Sequence, residues 1–253
     1  MCLIVFAYKV LKEYPLILAA NRDEFYRRPT LGMHFWEDLP DILAGKDLEH
    51  GGTWLGVHRS GMFAALTNYR NPADIKPNAP SRGEIIIDFL NSKKSPEHFI
   101  HDLGPKASLY KGFNLIFGNM DHLFWFTNLT RRIEKITPGI HGLSNRFLNT
   151  PWPKVESAKK ALKKIMGKTI TPDHLFSLLK DRTVPEDDML PETGIGFEWE
   201  KILSPLFIES DTYGTRSSTV LRVDKKRNMK ITERSYFHEH NLEYKDLDFV
   251  IPA

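Results

Sequence analysis

One cysteine, Cys2, stands in the 253 residues, so no disulfide can close within the chain and a disulfide-stapled secreted scaffold is excluded. No apolar run approaches the roughly 20 residues that cross a bilayer as a helix, so no integral membrane segment is expected. Residues 3–7 are apolar, but no basic stretch precedes them and Lys9 and Lys12 break the run soon after, which is not the form of a signal peptide. Excess charge is also missing. The 35 basic and 32 acidic residues leave a formal net charge of +3, too little for a nucleic-acid footprint. The expectation is a cytoplasmic protein without a nucleic-acid partner.

Further absences remove specific chemistries. Gly51-Gly52-Thr53-Trp54 lacks the lysine and spacing of a phosphate-binding loop and reads as a tight turn before a strand. There is no C-x-x-C-H, which excludes covalent haem attachment. His238 and His240 flank Glu239 with no third ligand nearby, so no metal site is assigned. The basic runs, Arg27-Arg28 among them, read as solvated faces.

The residues present suit a folded protein with a large core. Apolar residues make up 41% and aromatics 11%, and no linker, repeat or low-complexity tract divides the chain, so one domain is expected over residues 1–253. Residues 3–8 and 16–20 are short apolar runs that read as a buried hairpin, and residues 54–58 and 62–67 as a second hairpin about Gly61. Ser81-Arg82-Gly83-Glu84 has capping-box spacing and predicts a helix to about Asn91, and Ser95-Pro96 opens another. Strands come next over 113–117 and 123–127. Helices are expected from Pro153 to Gly167 and from Pro172, then a loop or lid over 181–198, and a hairpin over 219–223 and 229–234. Strands and helices in blocks, without βαβ alternation, predict α+β with mostly antiparallel sheet. Four packed layers or a simpler two-layer fold would both satisfy this pattern.

Cys2 carries the first chemical signal. Removal of Met1 would leave a thiol and an α-amino group on one residue, and an amine with a pKa of ~7.7 to 8.0 can take a proton from a thiol of ~8.5. Such a pair needs a cation to favour thiolate, a carboxylate to hold the amine, and donors for an oxyanion. Asn21-Arg22-Asp23-Glu24 comes directly after the second strand, where hairpin geometry returns it to the start of the first. Asn68 ends the fourth strand and Asn145 sits in Gly142-Leu143-Ser144-Asn145, where both amides could donate to an oxyanion, and Arg216 opens a late strand. The same residues would also serve as a charged knot and as partners for buried backbone groups.

The chain resembles the NRDE family, also called the transport and Golgi organisation protein 2 family. The likeness is carried nearly end to end by Met1-Cys2, Leu18-Ala19-Ala20-Asn21-Arg22-Asp23-Glu24-Phe25-Tyr26, Gly51-Gly52-Thr53-Trp54-Leu55-Gly56, Ala65-Leu66-Thr67-Asn68-Tyr69, Gly112-Phe113-Asn114-Leu115, Gly142-Leu143-Ser144-Asn145, Tyr213-Gly214-Thr215-Arg216 and Thr232-Glu233-Arg234-Ser235. The resemblance implies the αββα sandwich of N-terminal-nucleophile (Ntn) hydrolases, with a more distant likeness to penicillin V acylases and bile-salt hydrolases. It further implies Cys2 as nucleophile, Arg22 stabilising thiolate or substrate, Asp23 orienting the amine, Asn68 and Asn145 as oxyanion or amine contacts, and Arg216 positioning the site. Asn21, Glu24, Trp54 and Tyr213 would support them. Arg22 and Asp23 are adjacent here, whereas those acylases separate the two.

Two functions are expected from this reading. The first is a cysteine-dependent amidohydrolase of a small N-acyl or related amide, needing no cofactor. The alternative, implied by the family, is a non-catalytic protein that binds and traffics haem, lipid or acyl-coenzyme A in the same pocket.

Overall fold

Residues 3–8 are apolar at every position because the strand they form is covered on both faces. The computed structural model describes residues 2–167, 169–237 and 243–253, with Cys2 described by its backbone alone, and places this run in β1 (Cys2–Tyr8). Ile4, Phe6 and Tyr8 meet Leu55, Val57 and Ile116 of a second sheet, while Leu3, Val5 and Ala7 meet Val155, Ala158 and Leu162 of a helix layer. Alternation continues in β2 (Leu16–Phe25): Leu18 and Ala20 enter the core between the sheets, Ile17 and Ala19 the core under the helices.

The first sheet runs in the order β10 (Gly139–Leu143), β1, β2, β11 (Tyr213–Val223), β12 (Met229–Phe237), β13 (Glu243–Ile251). The second runs β3 (Thr30–Phe35), β4 (Ile42–Asp47), β5 (Leu55–His58), β6 (Phe63–Asn68), β7 (Phe113–Gly118), β8 (Leu123–Thr127), β9 (Arg132–Lys135). All of these neighbours pair antiparallel. Helices α3 (Pro153–Met166) and α4 (Pro172–Leu179) cover the outer face of the first sheet. The outer face of the second is covered by α1 (Gly83–Asn91) and α2 (Pro96–Leu103), through Ile85, Ile86, Phe89 and Phe99. The result is the four-layer α/β/β/α alternative, which buries both faces of the central strands of each sheet.

Several local expectations hold. Ser95 and Thr171 cap α2 and α4 by accepting the backbone N–H of His98 and His174, each with proline at the next position, and Gly167 ends α3. The capping box at Ser81 does not form. Helix α1 begins at Gly83 after Arg82, without a side-chain cap, because its first turn docks backbone against backbone on the loop before β5. Thr53 N donates to Gly83 O at 3.3 Å there, and a Cβ on Gly52 would lie 2.5 Å from the Gly83 carbonyl carbon. Gly52→Ala is therefore expected to cost about 2 kcal/mol or more through overpacking against immovable backbone. Gly51→Ala meets nothing within 4 Å and pays only for its positive φ of 73°, about 1 kcal/mol. Thermal melts of the two variants check this order; a Gly52→Ala no worse than Gly51→Ala would contradict it.

Candidate functional site

The sandwich gathers its chemistry at one end. In the β1–β2 ladder Cys2 pairs with Arg22, and in the β10–β1 ladder Ile4 pairs with Leu143, which brings the residues after β10 beside the start of β1. There the Asn145 side chain, fully buried, donates from Nδ2 to the Asn68 carbonyl at the end of β6 (2.8 Å), joining the two sheets. On the other side of β2, β11 pairs Thr215 with Asp23 and Ser217 with Arg22, so Arg216 is the extra residue of a β-bulge.

Arg22 is the centre of the arrangement. Its guanidinium carbon lies 4.2 Å from the centre of the Trp54 ring, and Nη2 is 3.6 Å from Asp47 Oδ2. Asp47 is held mainly by Arg28 Nε at 2.6 Å and by the N–H groups of Glu49 and His50. Burial acts to raise the Asp47 pKa, but these donors together hold it below the ordinary carboxylate value. Arg22, Asp23, Glu24, Trp54 and Asn68 border one cavity of about 410 Å³.

Asp23 is buried, its Oδ1 accepting from Thr215 Oγ1 at 2.7 Å while its carbonyl accepts from the Tyr213 hydroxyl at 2.9 Å. Burial raises its pKa, against the pull of Lys154, the Thr215 hydroxyl and Arg22. Lys154 is itself buried and donates to the Leu203 carbonyl at 2.7 Å.

Asn21 and Arg216 do not line this cavity. Asn21 faces the helix layer, where Nδ2 donates to the carbonyls of Leu179 and Leu206 and Oδ1 accepts from Ser218. Arg216 Nη1 donates to the carbonyls of Phe25, Tyr26 and Arg28, which fixes the turn that leads into β3. Arg216 borders a neighbouring cavity of about 230 Å³, which shares Arg22 and Trp54 with the first.

Sequence reasoning missed several charged groups. Arg28, read as part of a solvated basic run, is instead tied to Asp47 and Glu49. Residues 181–198, read as a loop or lid, end in an unforeseen helix α5 (Phe197–Ile202) and are pinned by Glu200, whose carboxylate pairs with buried Arg70 and accepts from the Thr193 N–H and hydroxyl. Glu233, within the Thr232-Glu233-Arg234-Ser235 block, is fully buried beside Arg22. Among the described residues no group of three metal-ligating side chains comes together, and His238 and His240 lie outside the described residues.

The family model described as "Transport and Golgi organisation 2" matches residues 1–238. The chain belongs to the Transport and Golgi organisation 2 family. It is 35% identical over 257 residues to the Transport and Golgi organization 2 homolog of Mus musculus, covering 93% of each chain. It is 29% identical over 248 residues to Transport and Golgi organization protein 2 of Drosophila melanogaster, covering 88% of this chain and 86% of that one. Among solved structures, a mutant conjugated bile acid hydrolase from Clostridium perfringens aligns with a TM-score of 0.53 at 8% identity, over 98% of this chain and 92% of that one. The chain thus has the fold of the Ntn hydrolases. No helix of its described residues is long and apolar enough to cross a membrane.

Proposed function

We infer that this chain is a cysteine-dependent hydrolase of a small N-acyl amide, with Cys2 as its nucleophile. One observation carries the reading: the ladder sets Cys2 across from Arg22, a residue that lines the 410 Å³ cavity. Asp23 stands one residue beyond, on the side of the Cys2 main-chain nitrogen.

With Met1 removed, the α-amino group of Cys2 takes the thiol proton and the sulfur attacks the amide carbonyl carbon. The C–N bond breaks, the departing amine carries off a proton, and water then adds to the thioester, releasing the acid and restoring the thiol. Arg22 favours the thiolate by its charge, and Asp23 orients the amine. Asn145 acts one step back, holding the Asn68 carbonyl so that Asn68 keeps its place on the cavity. Arg216 holds the 25–28 turn.

The cation-rich lining supports a second reading. Lys76, Arg82 and Lys111 join Arg22 and Arg28 around the cavity, which suits a carrier of an anionic ligand such as haem or acyl-coenzyme A.

Alkylation of Cys2 by iodoacetamide, read out by intact mass from pH 5 to 10 on Met1-free protein, tests the first reading. The expected apparent thiol pKa lies below the ordinary ~8.5, and Arg22→Gln slows labelling at pH 7 by about tenfold. An ordinary, slow thiol that is indifferent to Arg22→Gln would overturn it.

A further inference from the structure

The 230 Å³ cavity lies between β3 and the sheet formed by β11, β12 and β13, and shares the Arg22–Trp54 wall with the larger one. Three side chains on its lining end in buried polar atoms without a hydrogen-bond partner: Arg22 Nη1, Ser217 Oγ and Glu233 Oε2. Buried polar atoms in native proteins are nearly always paired, so three orphans around one void mark a place built for a polar guest. Glu233 is the most telling. Its other oxygen accepts the Met33 N–H at 2.7 Å, an approach helped by Gly32, where a Cβ would lie 3.3 Å from Oε1. One oxygen is thus fixed to the backbone, while the other, on a residue that lines the cavity, is buried without a partner.

We propose that this cavity is a subsite for a neutral amide group of the ligand, whose carbonyl accepts from Arg22 Nη1 and whose N–H donates to Glu233 Oε2, with Ser217 Oγ at the side. The chemistry of the orphans selects the guest. Arg22 offers a donor and Glu233 an acceptor, the complement of a C=O and N–H pair. A second carboxylate would have to share Arg22 with Asp47 and lie against Glu233, whereas a neutral amide adds no charge. The apolar flanks of Leu31, Trp54 and Leu247 accommodate its alkyl substituents. The subsite deepens the amidohydrolase reading, but its test is a binding measurement that stands whether or not Cys2 turns over.

The charged groups around Glu233 are Arg22 on β2, Arg216 on β11 and Lys245 on β13, with none from β3, and no described cation makes an ion pair with it. Burial pushes the Glu233 pKa up to about 7, opposed by the Met33 N–H and Arg22, so its acceptor strength changes near neutrality. The full chain, labelled with nitrogen-15, is titrated with N-methylacetamide while the Met33 amide resonance is monitored. The expected result is a saturable shift up to about tenfold tighter at pH 8 than at pH 6, as the acceptor gains charge. Methyl acetate, which lacks the N–H, gives no saturable shift, and in Glu233→Gln the pH dependence is gone.

Three results would overturn the proposal: an ester that matches the amide, acetate that binds more tightly as pH falls, or no saturable shift at Met33, which would leave the cavity to water. The wild-type comparison of amide, ester and acetate decides even if the variant does not fold. If the amide binds but Cys2 is never acylated, the subsite survives and the hydrolase reading falls.

Discussion

Glu233→Gln is expected to make the protein more stable at pH 8 by about 3 kcal/mol and to change it by less than about 1 kcal/mol at pH 5. The native carboxyl has its pKa raised from 4.5 to about 7 by burial. Between those values the folded chain binds more protons than the unfolded one, so stability is full below pH 4.5 and is lost as pH rises through 7. Asp23, also raised by burial, slopes the same way. Glutamine keeps the acceptor for the Met33 N–H and carries no charge, which removes the alkaline loss. At roughly 2 to 4 °C per kcal/mol for a chain of this size, melting at pH 8 should rise by about 5 to 10 °C. Equal melting of variant and wild type at pH 8 would mean that Glu233 is not forced to ionise in the buried site.

Arg70→Ala carries the other large effect, a loss of about 3 to 5 kcal/mol. Arg70 and Glu200 are both buried, the guanidinium lies 5.1 Å from the Trp152 ring, and the Arg70 N–H donates to the Asn145 carbonyl at 2.8 Å. Burial lowers the Arg70 pKa, with Glu200 and Asp23 opposing, so its charge is retained in a costly place and is compensated there. Removing it leaves Glu200 uncompensated and takes a cation from the surroundings of Asp23. Melting should fall by about 10 °C and amide exchange should quicken at Thr193, whose N–H donates to Glu200. The double variant Arg70→Met with Glu200→Met should lose less than the sum of the two single changes, because it strands no charge. A single variant melting within about 2 °C of wild type would show that the pair holds nothing in place.

Much of this architecture was legible because burial on both faces leaves an unbroken apolar run. The β1–β2 hairpin, the 55–58 and 63–68 hairpin, and helices α2 to α4 come from pattern, proline and cap chemistry. Strands β3, β9 and β13 did not, since each is a sheet edge. In β13 (Glu243–Ile251) most positions are exposed and charged residues interrupt the apolar ones, as edge strands often require. The four-layer arrangement was one of two that pattern allowed, and family resemblance favoured it.

At the site, hairpin geometry alone brings residues 2 and 22 to the same end of the ribbon, and the structure pairs them directly. The charged partners that set its electrostatics were not legible. Arg70 meets Glu200 across 130 residues and Met33 meets Glu233 across 200, separations at which no periodicity or spacing rule speaks. Arg28 looked like surface because its carboxylate partner, Asp47, arrives from a strand with no clean apolar alternation.

Covalent bonding of an acyl group to Cys2 is the central claim. Met1-free protein incubated with a panel of N-acyl aminocoumarin amides, quenched in acid and weighed intact, tests it directly. The predicted result is an adduct of the acyl mass mapped to Cys2, a burst of aminocoumarin stoichiometric with the chain, and neither in Cys2→Ala. A reactive Cys2 that takes up no acyl group from any amide, in a protein that saturably binds haem or acyl-coenzyme A, would contradict it.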